Sequence, residues 1–229
     1  MDDRQLSQKS GSAQDAKQGQ PHFDPRLLAP VSGSADATEN SEYFLKRPLD
    51  LLLSGFALIV LSPVFLMIAF LIKASSPGPV FFRQKRLGVN EAPFEILKFR
   101  SMRSDPEGAG PQFTSANDSR ITGIGKLIRK TSLDELPQLI NIFRGEMSLI
   151  GPRPYVGFEL ADTLQFKREL RASVRPGVSG LAQVSGRSQL TQDAVIEYDI
   201  DYVKKCSLKL DWQILLQTVR KVLSCEGTN

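Results

Sequence analysis

One uncharged stretch, from Leu51 to Ile72, limits what this chain can fold into more than any other feature. Its roughly 22 mainly apolar residues are enough for one helix across a bilayer. Ser62 and Pro63 lie at its middle. Proline there bends a helix, so that each half of about 11 residues reaches only about half-way across. Lys and Arg residues flank both ends, whereas a spanning helix usually has them mainly on one side. A re-entrant helix is therefore favoured, and a plain span stays open.

The charge of the chain is distributed unevenly between a tail and a body. The net charge is +4, and residues 1–42, with seven acidic and four basic side chains, contribute −3, so residues 43–229 carry +7. The tail has few large apolar side chains, and we predict that it is disordered, because it cannot bury enough surface to offset its ordering entropy. The basic body favours anionic partners such as lipid head groups, nucleotide phosphates or nucleic acid.

Two scarce residue types exclude several classes of chemistry. The single histidine, His22, lies in the tail, which argues against histidine catalysis and against a histidine metal site. Cys206 and Cys225 provide no disulfide framework and are typical of a reduced, cytosolic protein. Acid–base or metal chemistry is therefore expected from carboxylates, Lys, Arg or Tyr.

The predicted fold class is α+β and mostly α-helical, with a kinked membrane helix and a small cytosolic domain that contains a short β-hairpin. The predicted parts are a disordered tail at 1–42, the membrane helix at 43–74, and the cytosolic domain at 75–229. Within that domain, short strands at 80–82 and 94–102 are expected to pair as the hairpin. A polar loop rich in Gly and Pro follows at 103–119.

The rest of the domain is predicted to be helical around one loop. Apolar spacing and composition indicate helices at 121–130, 160–174, 194–205 and 210–224. The last is amphipathic, and its apolar face suits contact with the core or with a membrane surface. The Gly-rich segment 175–187 is predicted to be a loop.

An acidic pair, Asp134–Glu135, stands directly before Leu136–Pro137. Proline is tolerated only in the first turn of a helix, which predicts a helix with Asp134 as its N-cap and Gly145 as its terminator. Capping by Ser132, with Glu135 completing an S-x-x-E box, is an alternative that places Pro137 deeper in the helix. Acids at a helix start are ordinary, so the local pattern alone does not separate a structural from a catalytic role.

Basic residues elsewhere in the chain are candidates to complete an anion site near the acidic pair: Arg129, Arg153, Lys98 and Arg100. A guanidinium can bind phosphate through two parallel hydrogen bonds. The prolines on both sides of Arg153 are expected to hold it on a stiff, extended backbone.

Several spaced motifs occur in a recognisable order: KRPLDL, SSPGPVFFRQKRLG, RKTSLDELPQLINIFRGEMSLIGPRP, RPGVSGLAQVSGR and LDWQILLQTV. Together they resemble the bacterial sugar transferase family, the monotopic polyprenyl-phosphate phosphoglycosyl transferases that begin exopolysaccharide and glycan assembly. The likeness covers about residues 41–224 and is to the short members of that family. It implies a re-entrant membrane helix broken at Ser62–Pro63, and a catalytic domain with interfacial helices.

The resemblance also implies roles for individual residues. Asp134 would be the nucleophile that attacks a nucleoside-diphosphate sugar, giving a covalent phosphosugar intermediate that polyprenyl phosphate then resolves. Asp134 and Glu135 would help to hold Mg²⁺. Arg129 and Arg153 would contact phosphate, as would Lys98 and Arg100. The later segments imply substrate contacts by Arg175, Gln183, Asp201 and Tyr202.

The implied partners are a nucleotide sugar, polyprenyl phosphate, inner-membrane lipid and a possible second copy of the chain, with no nucleic acid. The implied location is the cytoplasmic face of the bacterial inner membrane. Two other functions fit part of the sequence. A membrane-anchored binding protein explains the basic charge, and a lipid-phosphate hydrolase would use the same aspartate with water as the acceptor.

Overall fold

The computed structural model of the chain describes residues 42–103, 118–160, 163–186 and 190–224. These ranges are mostly helical, with one two-stranded antiparallel sheet and one two-stranded parallel sheet. The mainly helical α+β fold with a hairpin is therefore confirmed. The predicted disordered tail, apart from Glu42, and most of the predicted loop at 103–119 lie outside the described residues.

The long apolar stretch forms two helices, α1 at Lys46–Val60 and α2 at Ser62–Ser75, bent by 61°. Pro63 lies in the first turn of α2, where no helical hydrogen bond is lost, and the Ser62 hydroxyl donates a 2.8 Å hydrogen bond to the Ile59 carbonyl. The predicted break is confirmed. Across the described ranges, no helix is by itself long and apolar enough to cross a bilayer, and only this bent pair reaches that length and composition when taken together.

One side of α2 packs against the rest of the fold, and the outer faces of both helices are exposed. Ile68 and Ile72 are almost fully buried and join Phe99 and Ile128 in one apolar cluster. Exposed large apolar side chains lie on α1 and α2: Leu52, Phe56, Ile59, Leu66 and Phe70. A surface with so many large apolar side chains marks an interaction site.

The predicted hairpin is confirmed, with strands longer or shorter than the sequence indicated. β1, Phe81–Leu87, pairs in antiparallel register with β2, Pro93–Phe99, so that Phe81 faces Phe99. A 3₁₀ turn at Val89–Glu91 connects them. Residues 83–87, beyond the strand predicted at 80–82, continue β1 because they pair with β2.

α3, Gly123–Lys130, confirms the helix predicted at 121–130. Its N-cap is Thr122, whose hydroxyl accepts a hydrogen bond from the Gly125 N–H. Gly125 also permits a close approach to the chain at Ser101, because a Cβ at this position would lie 1.9 Å from the Ser101 carbonyl oxygen. α3 is thereby held against the segment that follows β2.

The acidic pair does not begin a long helix, which corrects both predicted capping arrangements. Asp134 and Glu135 lie in a separate 3₁₀ turn, Leu133–Glu135, and α4, Gln138–Arg144, begins only after Pro137. Ser132, in the left-handed region at φ +56°, makes no capping bond with its side chain. The proline breaks the segment into two elements, because its ring suits a helix start and not a helix interior. Gly145 is confirmed as the terminator, at φ +89°.

The segment predicted to be a loop at 175–187 contains two elements, which is a second correction. β3, Ser148–Ile150, pairs in parallel with β4, Gly177–Ser179, and α6 follows at Leu181–Ser185. These strands have three residues each, and their partners are distant in sequence, so local periodicity does not reveal them.

The remaining helices surround this parallel pair. α5 runs over Gln165–Arg171, within the longer helix predicted at 160–174, and a 3₁₀ turn at Gly157–Leu160 precedes it. α7, Gln192–Lys205, and α8, Leu208–Ser224, confirm the last two predicted helices. The core there combines residues of β3, the segment between α5 and β4, α6, α7 and α8: Ile150, Val174, Leu181, Val184, Tyr202, Val203, Leu210 and Ile214.

Candidate active site

A cavity of about 340 Å³ lies between β2, the 3₁₀ turn at Leu133–Glu135, α4, β4, α6 and α8. Its walls include four of the predicted site residues: Lys98, Glu135, Arg153 and Gln183. The structure thus brings together residues that are separated by as much as 85 positions in the chain. This cavity is the candidate active site.

Lys98 and Glu135 form an ion pair at the cavity wall, with 2.8 Å between Nζ and Oε1. Asn141 of α4 fixes their relative position, because its fully buried amide bonds the β2 backbone. Its Oδ1 accepts from the Leu97 N–H at 3.0 Å, and its Nδ2 donates to the Glu95 carbonyl at 2.7 Å. The strand that carries Lys98 is therefore held on the helix that follows the acidic turn.

Asp134 lies beside the cavity, between two residues that line it, Leu133 and Glu135. Burial raises the pKa of its carboxyl group to about 6, and the negative charge of Glu135 adds to the increase, against the opposing effects of Lys98 and Arg129. With a pKa of about 6, Asp134 is mainly a carboxylate near neutral pH, and its burial leaves this carboxylate partly desolvated. Such a group is suited to react with, or bind beside, an electrophile.

Arg129, near the end of α3, is held close enough to Asp134 to influence its pKa. The close packing of α3 at Gly125 brings the Arg129 Nε within 3.0 Å of the Ser101 hydroxyl, to which it donates a hydrogen bond. This bond orients the guanidinium, and the Arg129 side chain stays half-buried. Arg129 is placed to add positive charge on the Asp134 side of the site.

Arg153 is an exposed cation at the cavity, on a turn between two buried prolines. In the described ranges its guanidinium has no hydrogen bond or ion pair, so it is available to an anion. Its backbone is held firmly, because Arg171 donates to the Arg153 carbonyl and also to Asp199 Oδ2, at 2.7 Å. The Arg171 guanidinium lies 4.4 Å from the ring centroid of Tyr155.

Arg100, a predicted phosphate contact, and Arg175, a predicted substrate contact, do not line the cavity. Arg100 is almost fully buried and donates to the carbonyls of Ser76 and Pro77, at 2.7 and 2.8 Å, which ties β2 to the end of α2. Arg175 pairs with Glu42 and donates to the Gly145 carbonyl. Both guanidinium groups bond to acceptors within the protein, and these contacts hold parts of the fold together.

Asp201 and Tyr202 are likewise not brought to the cavity. Tyr202 is buried in the core, and its hydroxyl bonds Asp211 Oδ1 at 2.8 Å. Burial, followed by the charge of Asp211, raises the pKa of Tyr202 well above its usual value. Asp201 is half-buried on α7 and is absent from the walls of the cavity.

Comparison with known proteins identifies the family. Residues 41–225 match the profile of the family described as bacterial sugar transferase. The chain belongs to the bacterial sugar transferase family. The match includes every element around the cavity, and it confirms the resemblance to this family that the spaced sequence motifs indicated.

Three curated relatives illustrate the similarity of this sugar transferase to named proteins. A UDP-N-acetylgalactosamine-undecaprenyl-phosphate N-acetylgalactosaminephosphotransferase of Aeromonas hydrophila is 44% identical over 192 residues, 80% of this chain and 45% of the relative. Exopolysaccharide production protein ExoY of Sinorhizobium fredii is 38% identical over 198 residues, 80% of this chain and 87% of that protein. A UDP-glucose:undecaprenyl-phosphate glucose-1-phosphate transferase of Escherichia coli K12 is 39% identical over 187 residues, 77% of this chain and 40% of the relative. The chain thus spans less than half of two of these relatives and most of the third.

Several residues at the site of this sugar transferase were not predicted from the sequence, and Gln138 and Thr218 are two of them. Gln138 is only 3% exposed and lines the cavity from the first turn of α4. Thr218 lines it from α8, which the sequence associated only with the core or a membrane surface. Gln138 could have been predicted as a site residue, because it is polar and directly follows Leu136–Pro137. The position of Thr218 could not, because it depends on how α8 packs.

Asp134 and Glu135 are the donors from which a Mg²⁺ site would be built. Mg²⁺ at phosphate-handling sites is usually held by one or two carboxylates together with substrate phosphates and water. Across the described ranges, no three Asp, Glu, His or Cys side chains lie close enough to hold an ion by themselves. The adjacent carboxylates of Asp134 and Glu135 therefore fit an ion that binds together with a diphosphate.

The raised pKa of Asp134 predicts a pH-dependent gain in stability for Asp134→Asn. Because the folded state raises this pKa from 3.8 to about 6, ionisation of Asp134 costs stability progressively as the pH rises from about 4 to above 6. In the presence of a chelator, the variant should match the wild-type Tm at pH 4 and exceed it by a few °C at pH 7.5. The same Tm difference at both pH values would show that the carboxylate charge is not the cause.

Proposed function

We propose that this protein is a phosphoglycosyl transferase that moves a sugar 1-phosphate from a UDP-sugar to undecaprenyl phosphate, the first membrane step of exopolysaccharide or glycan assembly. The observation that carries the proposal is the position of Asp134, a partly desolvated carboxylate beside a cavity with Lys98 and Arg153 on its walls. The relatives support it, because the names of two of them specify transfer of a sugar phosphate between a UDP-sugar and undecaprenyl phosphate.

The first half-reaction is a displacement at the β-phosphorus of the donor. A carboxylate oxygen of Asp134 attacks this phosphorus, and the bond to the bridging oxygen of the diphosphate breaks. The electron pair leaves on UMP, and the sugar phosphoryl group remains on Asp134 as a mixed anhydride. Lys98, Arg129 and Arg153 stabilise the negative charge on the phosphoryl oxygens during this step.

The second half-reaction releases the sugar phosphate to the lipid. A phosphate oxygen of undecaprenyl phosphate attacks the same phosphorus, and the bond to Asp134 breaks. The carboxylate is thereby regenerated, and the product is an undecaprenyl diphosphate sugar. No external oxidant or reductant is needed, and the two steps give ping-pong kinetics.

Asp134 and Glu135 would hold the Mg²⁺ that this reaction class requires. When bound, the ion screens the charge of the diphosphate and so makes its phosphorus easier to attack. Glu135 is kept in place by its pair with Lys98, so that loss of either side chain weakens both metal and phosphate binding.

The bent pair α1–α2 is proposed to enter the cytoplasmic leaflet of the bacterial inner membrane and to return to the same side. The exposed apolar faces of both helices, the 61° bend, and the burial of Ile68 and Ile72 of α2 against the cytosolic core support this topology. A cysteine introduced at Ser10 should resist a membrane-impermeant thiol reagent in intact cells and react after lysis. Labelling in intact cells would instead indicate a plain span.

A transfer assay tests the proposed function. The purified full-length protein is incubated with Mg²⁺, undecaprenyl phosphate and radiolabelled UDP-glucose or UDP-N-acetylgalactosamine. Transfer predicts equal amounts of released UMP and labelled lipid. Release of free sugar 1-phosphate without labelled lipid would indicate a hydrolase, and no reaction with a broad panel of sugar nucleotides would support a binding protein.

A further inference from the structure

The walls of the active-site cavity differ in chemistry from one side to the other. Lys98, Glu135 and Arg153 provide charge from β2, the acidic turn and the turn after β3. The wall formed by β4, α6 and the nearby part of α8 is mainly neutral, with Val178 and Val184 beside Gln183, and Lys221 of α8 adds a positive charge to it. Diphosphate oxygens suit the charged side, so the neutral side is left for another part of the donor.

Gln183 offers an unmet hydrogen-bond acceptor on that neutral wall. Its Oε1 is buried, and among the described residues it accepts no hydrogen bond. A buried acceptor without a donor is costly, and most such atoms in folded proteins are satisfied by a ligand, water or protein group. Gly180 leaves space for this oxygen, because a Cβ at position 180 would lie 2.8 Å from it.

The hydroxyl groups of Ser179 and Thr218, which line the same wall, use their own protons within the protein. Thr218 donates its proton to the Ile214 carbonyl of its own helix, at 2.8 Å, and Ser179 lies 2.6 Å from the Thr218 oxygen. Since the Thr218 proton is already used, Ser179 is the donor of that second bond. Neither hydroxyl proton then remains for a ligand, so these two hydroxyl groups can only accept hydrogen bonds from it.

A neutral wall that combines branched aliphatic side chains with acceptors fits a flat heterocycle that carries an N–H. Val178 and Val184 present aliphatic surface, which suits the flat face of a base better than the hydroxyl groups of a sugar. An isoprenoid chain would leave the acceptor of Gln183 unsatisfied. A pyrimidine with an imide N–H satisfies the acceptor and places its faces against aliphatic groups.

We propose that the wall formed by Val178, Gln183 and Thr218 is the nucleobase subsite, in which Gln183 Oε1 accepts a hydrogen bond from the imide N–H of uracil. This inference rests on the proposed function, since it concerns the same donor. With the Gln183 amide in this orientation, uracil is favoured over cytosine, because cytosine has an acceptor in place of that N–H and would face Oε1 with a lone pair.

Binding measurements on the full-length protein in lipid nanodiscs test this subsite, with UDP, CDP and inorganic pyrophosphate as separate probes in the presence of Mg²⁺. Gln183→Leu should weaken UDP binding about tenfold, with pyrophosphate and CDP binding changed by less than about twofold. Retained pyrophosphate binding shows that the variant is folded around an intact phosphate site. Gln165→Leu, at an exposed position on α5, is the matched control and should change none of the three affinities.

Three results would overturn the inference. One is unchanged UDP affinity in Gln183→Leu, and another is an equal loss for UDP and pyrophosphate. The third is a loss seen with a UDP-sugar but not with UDP, which would assign Gln183 to the sugar. If the wild-type protein binds neither UDP nor a UDP-sugar, the proposed function fails as well, so the two failures are distinguishable.

Discussion

Asp134→Asn is expected to reduce sugar-phosphate transfer by at least about 10³-fold, because an amide neither carries the negative charge nor forms a stable phosphoryl anhydride. The side chains have nearly the same shape, so the cavity and its cations should be retained. Initial rates of UMP release in the presence of undecaprenyl phosphate provide the measurement. UDP binding should persist in the variant, which separates loss of the nucleophile from loss of the binding site.

Asp193→Asn is the matched control, since Asp193 is an exposed aspartate in the first turn of α7. Its transfer rate should stay within about twofold of the wild type, because surface charges distant from the reacting atoms have small effects. An Asp134→Asn variant that kept more than a tenth of the wild-type rate would exclude Asp134 as the nucleophile.

The second large effect is expected at Lys46, which connects the bent helix pair to the core. Lys46 is 1% exposed, and its Nζ donates to Asp211 Oδ2 at 2.6 Å and to the Ile150 carbonyl at 2.9 Å. Tyr43 and Tyr202 also bond Asp211. Lys46→Met should lower the free energy of unfolding by about 3–5 kcal/mol, because it leaves the buried Asp211 charge without its counterion.

Denaturant unfolding in detergent micelles can measure this loss. Arg83→Met is the control, because the Arg83–Glu95 pair is long, at 3.6 Å, with side chains 66% and 54% exposed. It should cost less than about 1 kcal/mol. Replacing both partners, Lys46→Met with Asp211→Leu, should recover part of the lost stability, since no isolated charge remains buried. A loss no larger than that of the control would show that the buried pair does not anchor the helix.

The sequence predicted those elements whose formation depends mainly on residues close together in the chain. The Ser62–Pro63 break, the hairpin of β1 and β2, and the amphipathic α8 all follow from apolar spacing and from the geometry of proline. Pro137 correctly marked a helix start, but the start is at Gln138, because the chain makes a separate 3₁₀ turn first. β3 and β4 were missed because each is short and depends on a partner far along the chain.

The candidate site was predictable where the chemistry is carried by a contiguous motif. Asp134 and Glu135 stand together in the sequence, and the prolines around Arg153 predicted a stiffly held cation, which the structure places at the cavity. Charge alone did not reveal which basic residues face the cavity. Arg100 and Arg175 are engaged by carbonyls and by Glu42, and such contacts depend on the packing of distant segments. The same reason explains why Thr218 of α8 was not recognised.

Intact-mass analysis of the full-length protein after incubation with Mg²⁺ and a UDP-sugar, without lipid acceptor, tests the central claim most directly. The account predicts that the wild-type protein gains the mass of one sugar phosphoryl group, that this group maps to Asp134, and that undecaprenyl phosphate removes it. Asp134→Asn should gain no mass. Transfer to lipid that proceeds at the wild-type rate with no adduct at Asp134, or with UMP released only when both substrates are present, would contradict the covalent mechanism.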